Sequence, residues 1–223
     1  MAGELDRAMG RLKHRDIRTR RRAVRTLVEL EDPESLKAFK SLLNDEDSWF
    51  VSKALDAYRR WAPIVGLDAV EDLTSHSSLN VRRCGANLLD SLGEDGISTA
   101  TMMLDDGDSV VRRKAADALL AHGNSEAIKA MHHHANDAIR SLAMRHQSCT
   151  TEQLLNGLSD TSNTVQIEAL RALLNRNEAV DVSVIMPFFS VQSETVKLFL
   201  WVAKHHPSNL PTLAEKLGPQ HFH

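Results

Sequence analysis

A nine-residue phrase that recurs at a regular interval constrains the fold of this chain more than any other feature. Residues 81–89 read VRRCGANLL, and thirty positions later residues 111–119 read VRRKAADAL. Related phrases begin at five further positions, which are Thr19, Phe50, Ile139, Val165 and Val196. An interval of about thirty residues is typical of proteins in which each repeat is one supersecondary unit that stacks on its neighbours. We therefore predict about seven repeats that cover nearly the whole chain.

Each phrase carries the signals of an amphipathic α-helix. Three residues before each start lies a side chain that can cap a helix N-terminus: Asp16, Asp47, Ser78, Asp108, Asn136, Ser162 or Ser193. Four residues after each start lies Ala23, Ala54, Gly85, Ala115, Ala143, Ala169 or Leu200. All of these but the last are small enough to let a second helix approach closely. Because apolar residues also recur at intervals of three and four, each phrase predicts the second helix of a pair.

The segments between the phrases predict the first helix of each pair. They carry apolar residues three and four positions apart, in Glu34–Leu43, Val65–Leu73, Ile97–Leu104, Glu126–His133, Glu152–Leu158 and Val184–Phe189. The sequence contains no strand-like alternation of apolar and polar residues. We predict an all-α fold, a right-handed α-solenoid of about seven helix pairs. We expect a single domain over residues 1–218, with repeats at about 1–31, 32–62, 63–93, 94–123, 124–149, 150–177 and 178–206, a capping helix at 208–218 and a disordered tail at 219–223.

Charge is distributed unevenly along the chain, although the formal net charge is only -3. Residues 1–25 contain nine Lys and Arg against three acids, whereas residues 84–111 contain six acids and no Lys or Arg. Four of the basic residues fall on one helical face, namely Arg18, Arg21, Arg22 and Arg25. Such a strip suits phosphate oxygens. It also suits an acidic protein, or the polar outer face that a terminal repeat needs for solubility.

The cysteines and the hydropathy pattern indicate a cellular compartment. Cys84 and Cys149 lie in different repeats without a CxxC partner, which argues against a disulfide framework or a structural zinc site and favours a reducing cytosol. The first residues lack an apolar signal segment, and no apolar run is long enough to span a bilayer. We therefore expect a cytoplasmic protein that does not enter a membrane.

The capped phrase, clearest at residues 78–89 and 108–119, resembles the short HEAT-like repeat first named for phycobiliprotein (bilin) lyases. The resemblance covers nearly the whole chain and weakens after about residue 145. It implies that turn acids and the first Arg of each phrase form a ladder between adjacent repeats, here Asp16, Asp47 and Asp108 with Arg20, Arg82, Arg112 and Arg140. Val51 and Gln166 depart from this pattern, so we expect the ladder to be interrupted there. The resemblance implies a fold and leaves the chemistry open.

No motif organises a catalytic, cofactor or metal site. Residues 132–134 are three consecutive histidines, but neighbours on a helix point about 100° apart and do not converge on one ion. His146 and Cys149 form a still weaker pair. Two HEAT-like enzyme families serve as comparisons. None of the 11 histidines is followed by Glu, which argues against the His-Glu iron site of deoxyhypusine hydroxylase, and the basic residues crowd one end instead of lining a groove as in alkylpurine DNA glycosylases. We predict no enzymatic activity, no cofactor and no bound metal.

The predicted function is that of a non-enzymatic scaffold or adaptor that binds a protein partner on the concave face formed by the second helices. The candidate contact residues are Arg83, Asn87, Arg113, Asp117 and Arg140. Trp49 and Trp61 are either further anchors for the partner or buried packing residues. The main alternative is nucleic-acid binding, through the phosphate backbone, by the Arg strip of the first repeat. A lyase-like or glycosylase-like HEAT enzyme is a further alternative.

Overall fold

The computed structural model describes residues 2–176, 178–190 and 194–217, and within these ranges the chain is helical with short turns and no strand. The α-helices are α1 (Ala2–Arg11), α2 (Ile17–Glu29), α3 (Leu36–Phe39), α4 (Ser48–Val65), α5 (Leu67–Thr74), α6 (Leu79–Leu88), α7 (Ile97–Met103), α8 (Ser109–His122), α9 (Ser125–His132), α10 (Asp137–Ala143), α11 (Thr151–Leu158), α12 (Asn163–Arg176), α13 (Val182–Ile185), α14 (Thr195–His205) and α15 (Leu210–Leu217). Short 3-10 segments extend some of them, at Pro33–Ser35, Lys40–Asn44, Leu89–Gly96, Met186–Ser190 and Pro207–Asn209. The prediction of an all-α fold is confirmed.

The chain divides into two compact units, residues 1–127 and 128–223, with the division inside α9. In the first unit, α1 packs on α2, α3 on α4, α5 on α6 and α7 on α8. In the second unit, α12 packs on α10, α11 and α14. The phrases that form α2, α4, α6, α8 and α12 are thus the second helices of packed pairs, as predicted. The single domain over residues 1–218 and its repeat boundaries stay predictions, and the tail at 219–223 lies outside the described residues.

Several helices begin next to a side chain that caps the first turn. Four of the predicted capping residues accept backbone N–H groups of the first turn, and these are Asp16, Asp47, Asp108 and Asn136. Ser78 precedes α6 but its side chain makes no capping hydrogen bond. The hydroxyl of Ser162 donates to Asp137 Oδ2 at 2.7 Å. Ser193 lies outside the described residues.

The small residues of the phrase lie where helices meet. The five alanines at this position, Ala23, Ala54, Ala115, Ala143 and Ala169, are at most 2% exposed. At Gly85 even a methyl group does not fit, because a Cβ there would lie 2.8 Å from the Cβ of Leu73 and from Cγ2 of Thr74. Leu200, the large residue of the last copy, is exposed. Trp61 is buried against Phe39, with 5.9 Å between ring centroids.

Candidate partner-binding face of the second helices

The turn before each second helix from α2 to α12 contains a side-chain acceptor two residues before the N-cap. This side chain accepts the N–H of the N-cap residue, which closes the turn. In chain order these acceptors are His14, Asp45, His76, Asp106, His134 and Asp160, and each makes this bond at 2.8–3.0 Å. Histidine and aspartate therefore alternate from one repeat to the next. Only the aspartates offer a carboxylate to a neighbouring arginine.

The first Arg of the phrase binds the turn carboxylate of the following repeat. Arg20 contacts Asp45, and Arg82 Nε donates to Asp106 Oδ2 at 2.7 Å. Arg140 donates from Nε and Nη2 to the two carboxylate oxygens of Asp160, both at 2.9 Å. The ladder acids therefore lie two residues before the N-cap acids that the resemblance implied.

The side chains of the first Arg position also tie their own turns together. Arg82 Nη1 donates to the carbonyls of His76 at 3.1 Å and Ser77 at 2.9 Å. A side chain anchored on these carbonyls reaches the near acid of the next turn, which explains the shift from the predicted partners. Arg140 makes the same bonds to its own turn and its side chain is only 16% exposed. Arg140 therefore holds repeats together, as its place in the implied ladder predicts, and it lacks the exposure that its candidacy for partner contact requires.

The ladder is interrupted at three positions. Val51 has no charge, and Gln166 donates from Nε2 to the carbonyl of Asp160 at 2.6 Å. Arg112 also binds only its own turn, with Nη1 2.7 Å from the carbonyl of Asp106. Within the described part of the chain Arg112 contacts no carboxylate, in contrast to the predicted ladder. The next turn in the sequence has His134 where a rung requires aspartate.

The second Arg of the phrase forms another ladder, on the N-cap acids. Arg83 binds Asp108 with both arms of its guanidinium, Nε at 3.1 Å and Nη2 at 2.7 Å, and Arg21 Nη2 donates to Asp47 Oδ2 at 3.0 Å. The hydrogen bond from Arg83, and the backbone N–H groups of α8, lower the pKa of Asp108 to about 2. Arg83, a candidate for partner contact, and Arg21, a candidate for phosphate contact, thus already have partners. Arg21 also lies over the half-buried ring of Trp49, 5.2 Å from its centroid.

Three positions of the phrase form an outward stripe, namely those two, three and six residues after each start. In the first unit the outward stripe is Arg21, Arg22, Arg25, Ser52, Lys53, Asp56, Arg83, Cys84, Asn87, Arg113, Lys114 and Asp117. Cys84 is the only one of them that is buried. The stripe holds seven cations and two anions, in a chain with a net charge of -3. Charges counted along the sequence combine residues from opposite faces of the helices, so the sequence did not predict this surface.

The remaining candidates for partner contact make only local bonds. Arg113 Nε donates to Asp117 Oδ1 at 2.9 Å, one helical turn away. Asn87 Nδ2 donates to the carbonyl of Arg83 at 2.8 Å. Both pairs are accessible to solvent, so these residues can exchange their bonds for bonds to a partner at small cost.

Three arginines of the predicted phosphate strip, Arg18, Arg22 and Arg25, are exposed on α2. Their side chains make no ion pair or hydrogen bond with any residue in the ranges 2–176, 178–190 and 194–217. The side chains of the nearby Arg11 and Arg15 are also exposed and make no such bond within these ranges. These five guanidinium groups are therefore available to bind an external anion.

The second unit contains a charge network that the sequence analysis missed. Glu168, which is 8% exposed, accepts from Arg145 Nε and from Arg171 Nη1, both at 2.9 Å. Arg171 Nε also donates to the buried Glu194 at 2.8 Å. Burial raises the pKa of Glu168, but Arg145 and Arg171 outweigh burial and leave the pKa below its ordinary value. Arg145 and Arg171 share the position six residues after the phrase start, which is the signal that would have found them.

An open cleft of about 380 Å³ lies over this network. Its lining residues are Arg145, Gln147, Glu168, Arg171, Ala172, Asn175 and Arg176. The side chain of Arg176 is fixed by hydrogen bonds to backbone carbonyls. Its Nη2 lies 3.0 Å from the carbonyl oxygen of His146 and 3.3 Å from that of Gln147. Three guanidinium groups, one from the turn after α10 and two from α12, therefore surround one cleft. We call it the arginine cleft.

The histidine cluster at residues 132–134 does not form a metal site in the described ranges, where no group of three or more His, Cys, Asp or Glu side chains is placed to hold an ion. His132 is 8% exposed, and neither ring nitrogen has a hydrogen-bond partner. Burial, followed by the charges of His133 and His146, lowers the pKa of His132. In the same ranges, no helix has both the length and the apolar character needed to cross a membrane.

Comparisons with known proteins agree with a helical repeat. No protein-family model matches the chain, and no curated protein matches it. Among solved structures, YibA of Escherichia coli is 14% identical, with a TM-score of 0.51 over 95% of this chain and 85% of YibA. An engineered protein is 24% identical, with a TM-score of 0.35 over 95% of this chain and 93% of that one. A designed armadillo repeat protein is 16% identical, with a TM-score of 0.41 over 76% of this chain and 98% of that one. The similarity to YibA shows the fold alone.

Proposed function

We propose that this helical-repeat chain is a non-enzymatic scaffold or adaptor that binds a protein partner on the face of its second helices. The outward stripe carries the proposal. Its side chains occupy the same register on consecutive helices, while the caps and ladders of the phrase are satisfied within the fold. Neighbouring helices pack about 8–10 Å apart, so the stripe offers polar groups at a regular spacing, which suits an extended protein surface.

The charge of the outward stripe points to an acidic partner. Within the stripe of the first unit seven cations stand against two anions. Two of the cations, Arg21 and Arg83, are paired with the N-cap acids Asp47 and Asp108, which leaves five cations against two anions. Opposite charge on the partner would guide encounter and set orientation. We also propose that the repeats are HEAT-like repeats of the bilin-lyase type, which the capped phrase supports. A cytosolic location is proposed as well, supported by the unpaired, buried thiols of Cys84 and Cys149.

An affinity capture from the native cell with matched variants tests the proposal. Arg113→Glu with Lys114→Glu reverses two exposed charges of the stripe on α8, and Lys37→Glu reverses one on α3, where the side chain is 73% exposed. The partner should be captured by the wild type and by Lys37→Glu and lost with the α8 double variant. Equal capture by all three proteins would place the binding surface elsewhere and refute the proposal.

A second candidate function is binding to a nucleic-acid backbone through α1 and α2. The free guanidinium groups of Arg18, Arg22 and Arg25 favour it. In this case the affinity for a 20-base-pair duplex should fall steeply with salt, with a log-log slope of about -0.9 for each phosphate contacted. Arg22→Gln with Arg25→Gln should reduce that slope by about two. A flat salt response would exclude this function and leave the protein-binding proposal intact.

A further inference from the structure

We infer that the arginine cleft of the second unit binds a carboxylate side chain from an acidic segment of the partner. The inference rests on the proposed function and names one site and its ligand chemistry. The residues that carry it are Arg145, Arg171 and Arg176, with the amides of Gln147 and Asn175 at the rim. Arg145 and Gln147 lie in the turn that follows α10, and the other three residues lie on α12.

The guanidinium groups of the cleft keep donors in reserve. Arg145 uses only Nε within the fold, so its two Nη groups make no hydrogen bond to a described residue, and its side chain is 52% exposed. Arg171 uses Nε and Nη1, which leaves Nη2. Arg176 uses both Nη groups on backbone carbonyls, which leaves Nε. An incoming anion therefore finds several N–H donors without breaking an existing bond.

The cleft carries a net positive charge that suits an acidic segment. Arg145, Arg171, Arg176 and Lys197, whose Nζ lies 3.8 Å from Glu194 Oε2, stand against the carboxylates of Glu168 and Glu194, which are 11% and 4% exposed. The excess of two positive charges faces solvent. Carboxylates of neighbouring acidic residues in one segment neutralise this excess. The planar guanidinium fork of Arg145 also fits the two oxygens of a carboxylate.

The cleft is also organised before the ligand arrives. The carboxylate of Glu168 accepts hydrogen bonds from Arg145 and Arg171, and the carboxylate of Glu194 accepts one from Nε of Arg171. Guanidinium groups fixed in this way lose little side-chain entropy when an anion binds. The two buried glutamates therefore act as positioning residues for Arg145 and Arg171, backbone carbonyls position Arg176, and the glutamates need not contact the ligand.

A fluorescein-labelled hexaglutamate peptide serves as the probe, with binding followed by anisotropy at low salt. Arg145→Gln should weaken binding by about tenfold, as expected for loss of one charge-assisted pair. Arg145→Lys keeps the charge and loses the planar fork of the guanidinium group, so its affinity for the peptide should lie between those of the wild type and Arg145→Gln. The control is Arg59→Gln, at a side chain with similar exposure (57%) that pairs with Asp56 in the first unit, and it should change affinity by less than about twofold. Circular dichroism confirms that each variant is folded.

Three results would overturn the inference. Unchanged affinity in Arg145→Gln would remove the cleft as a site, and an equal loss in Arg59→Gln would show that net charge alone attracts the peptide. Inorganic phosphate that displaces the peptide at much lower concentration than acetate would overturn the assignment of a carboxylate ligand. None of these results affects the capture experiment with the variants on α8, so the scaffold proposal can survive the loss of the cleft.

Discussion

Replacing Gly85 with Ala should destabilise the protein, although five of the other six repeats have Ala at this position. A Cβ at residue 85 would lie 2.8 Å from Leu73 Cβ and Thr74 Cγ2, and 3.0 Å from the backbone N of Thr74. Ordinary contacts of such a carbon begin near 3.4 Å. Because a Cβ and a backbone nitrogen cannot rotate away, α5 and α6 have to move apart to admit the methyl group.

Two opposing effects set the size of the loss. Ala in a helix interior is about 1 kcal/mol better than Gly. Overfilling a packed interface costs about 1–3 kcal/mol, and we expect the upper part of this range because the clash involves backbone. The net loss for Gly85→Ala is then about 1–2 kcal/mol. In a protein of this size it should lower the melting temperature by roughly 2–8 °C.

Urea unfolding followed by circular dichroism at the helix band measures this difference. The matched control is Gly10→Ala in α1, where an added Cβ would meet nothing within 4 Å. That variant should be neutral or more stable by up to about 1 kcal/mol, from helix propensity alone. If Gly85→Ala were as stable as the wild type, the close approach of α5 to α6 inferred here would be wrong.

Three further predictions follow from the turns, the ladder and the buried histidine. Val51→Arg combined with His76→Asp should install a missing rung between the second and third repeats, with a coupling free energy of about 1 kcal/mol in a double-mutant cycle of urea unfolding; additive effects would contradict it. Arg82→Gln should cost about 2 kcal/mol, since it removes charged hydrogen bonds from a side chain only 23% exposed, and a loss below about 0.5 kcal/mol would show that the rung is dispensable. The pKa of His132 lies below its usual 6.5 because the ring is buried. As pH falls below 6.5, the unfolded chain therefore binds a proton that the native chain does not, and stability drops by up to about 1.4 kcal/mol per pH unit. His132→Leu should be more stable than the wild type by a margin that grows between pH 7 and pH 5, and a constant margin would refute this cause.

Part of the candidate site was visible in the sequence but was not recognised there. The alternation of His and Asp two residues before each cap can be read directly from His14, Asp45, His76 and Asp106. Together with the Arg positions, it predicts which junctions carry a rung. Arg145 and Arg171 likewise occupy the same register as Asn87 and Asp117, which the sequence analysis selected, and only the weakening of the phrase after about residue 145 hid them.

Local signals determined the helices of this protein. A cap, a stripe of apolar residues and a small residue act within one or two helical turns, so the sequence alone predicted the all-α fold and, for example, a first helix at Ile97–Leu104 that the structure has at Ile97–Met103. The tertiary structure decided which groups meet. Whether Arg83 is free or bound to Asp108, how close α5 lies to Gly85, and which glutamate holds Arg145 depend on the distance and rotation between packed helices. A periodicity that is averaged over repeats does not contain that information.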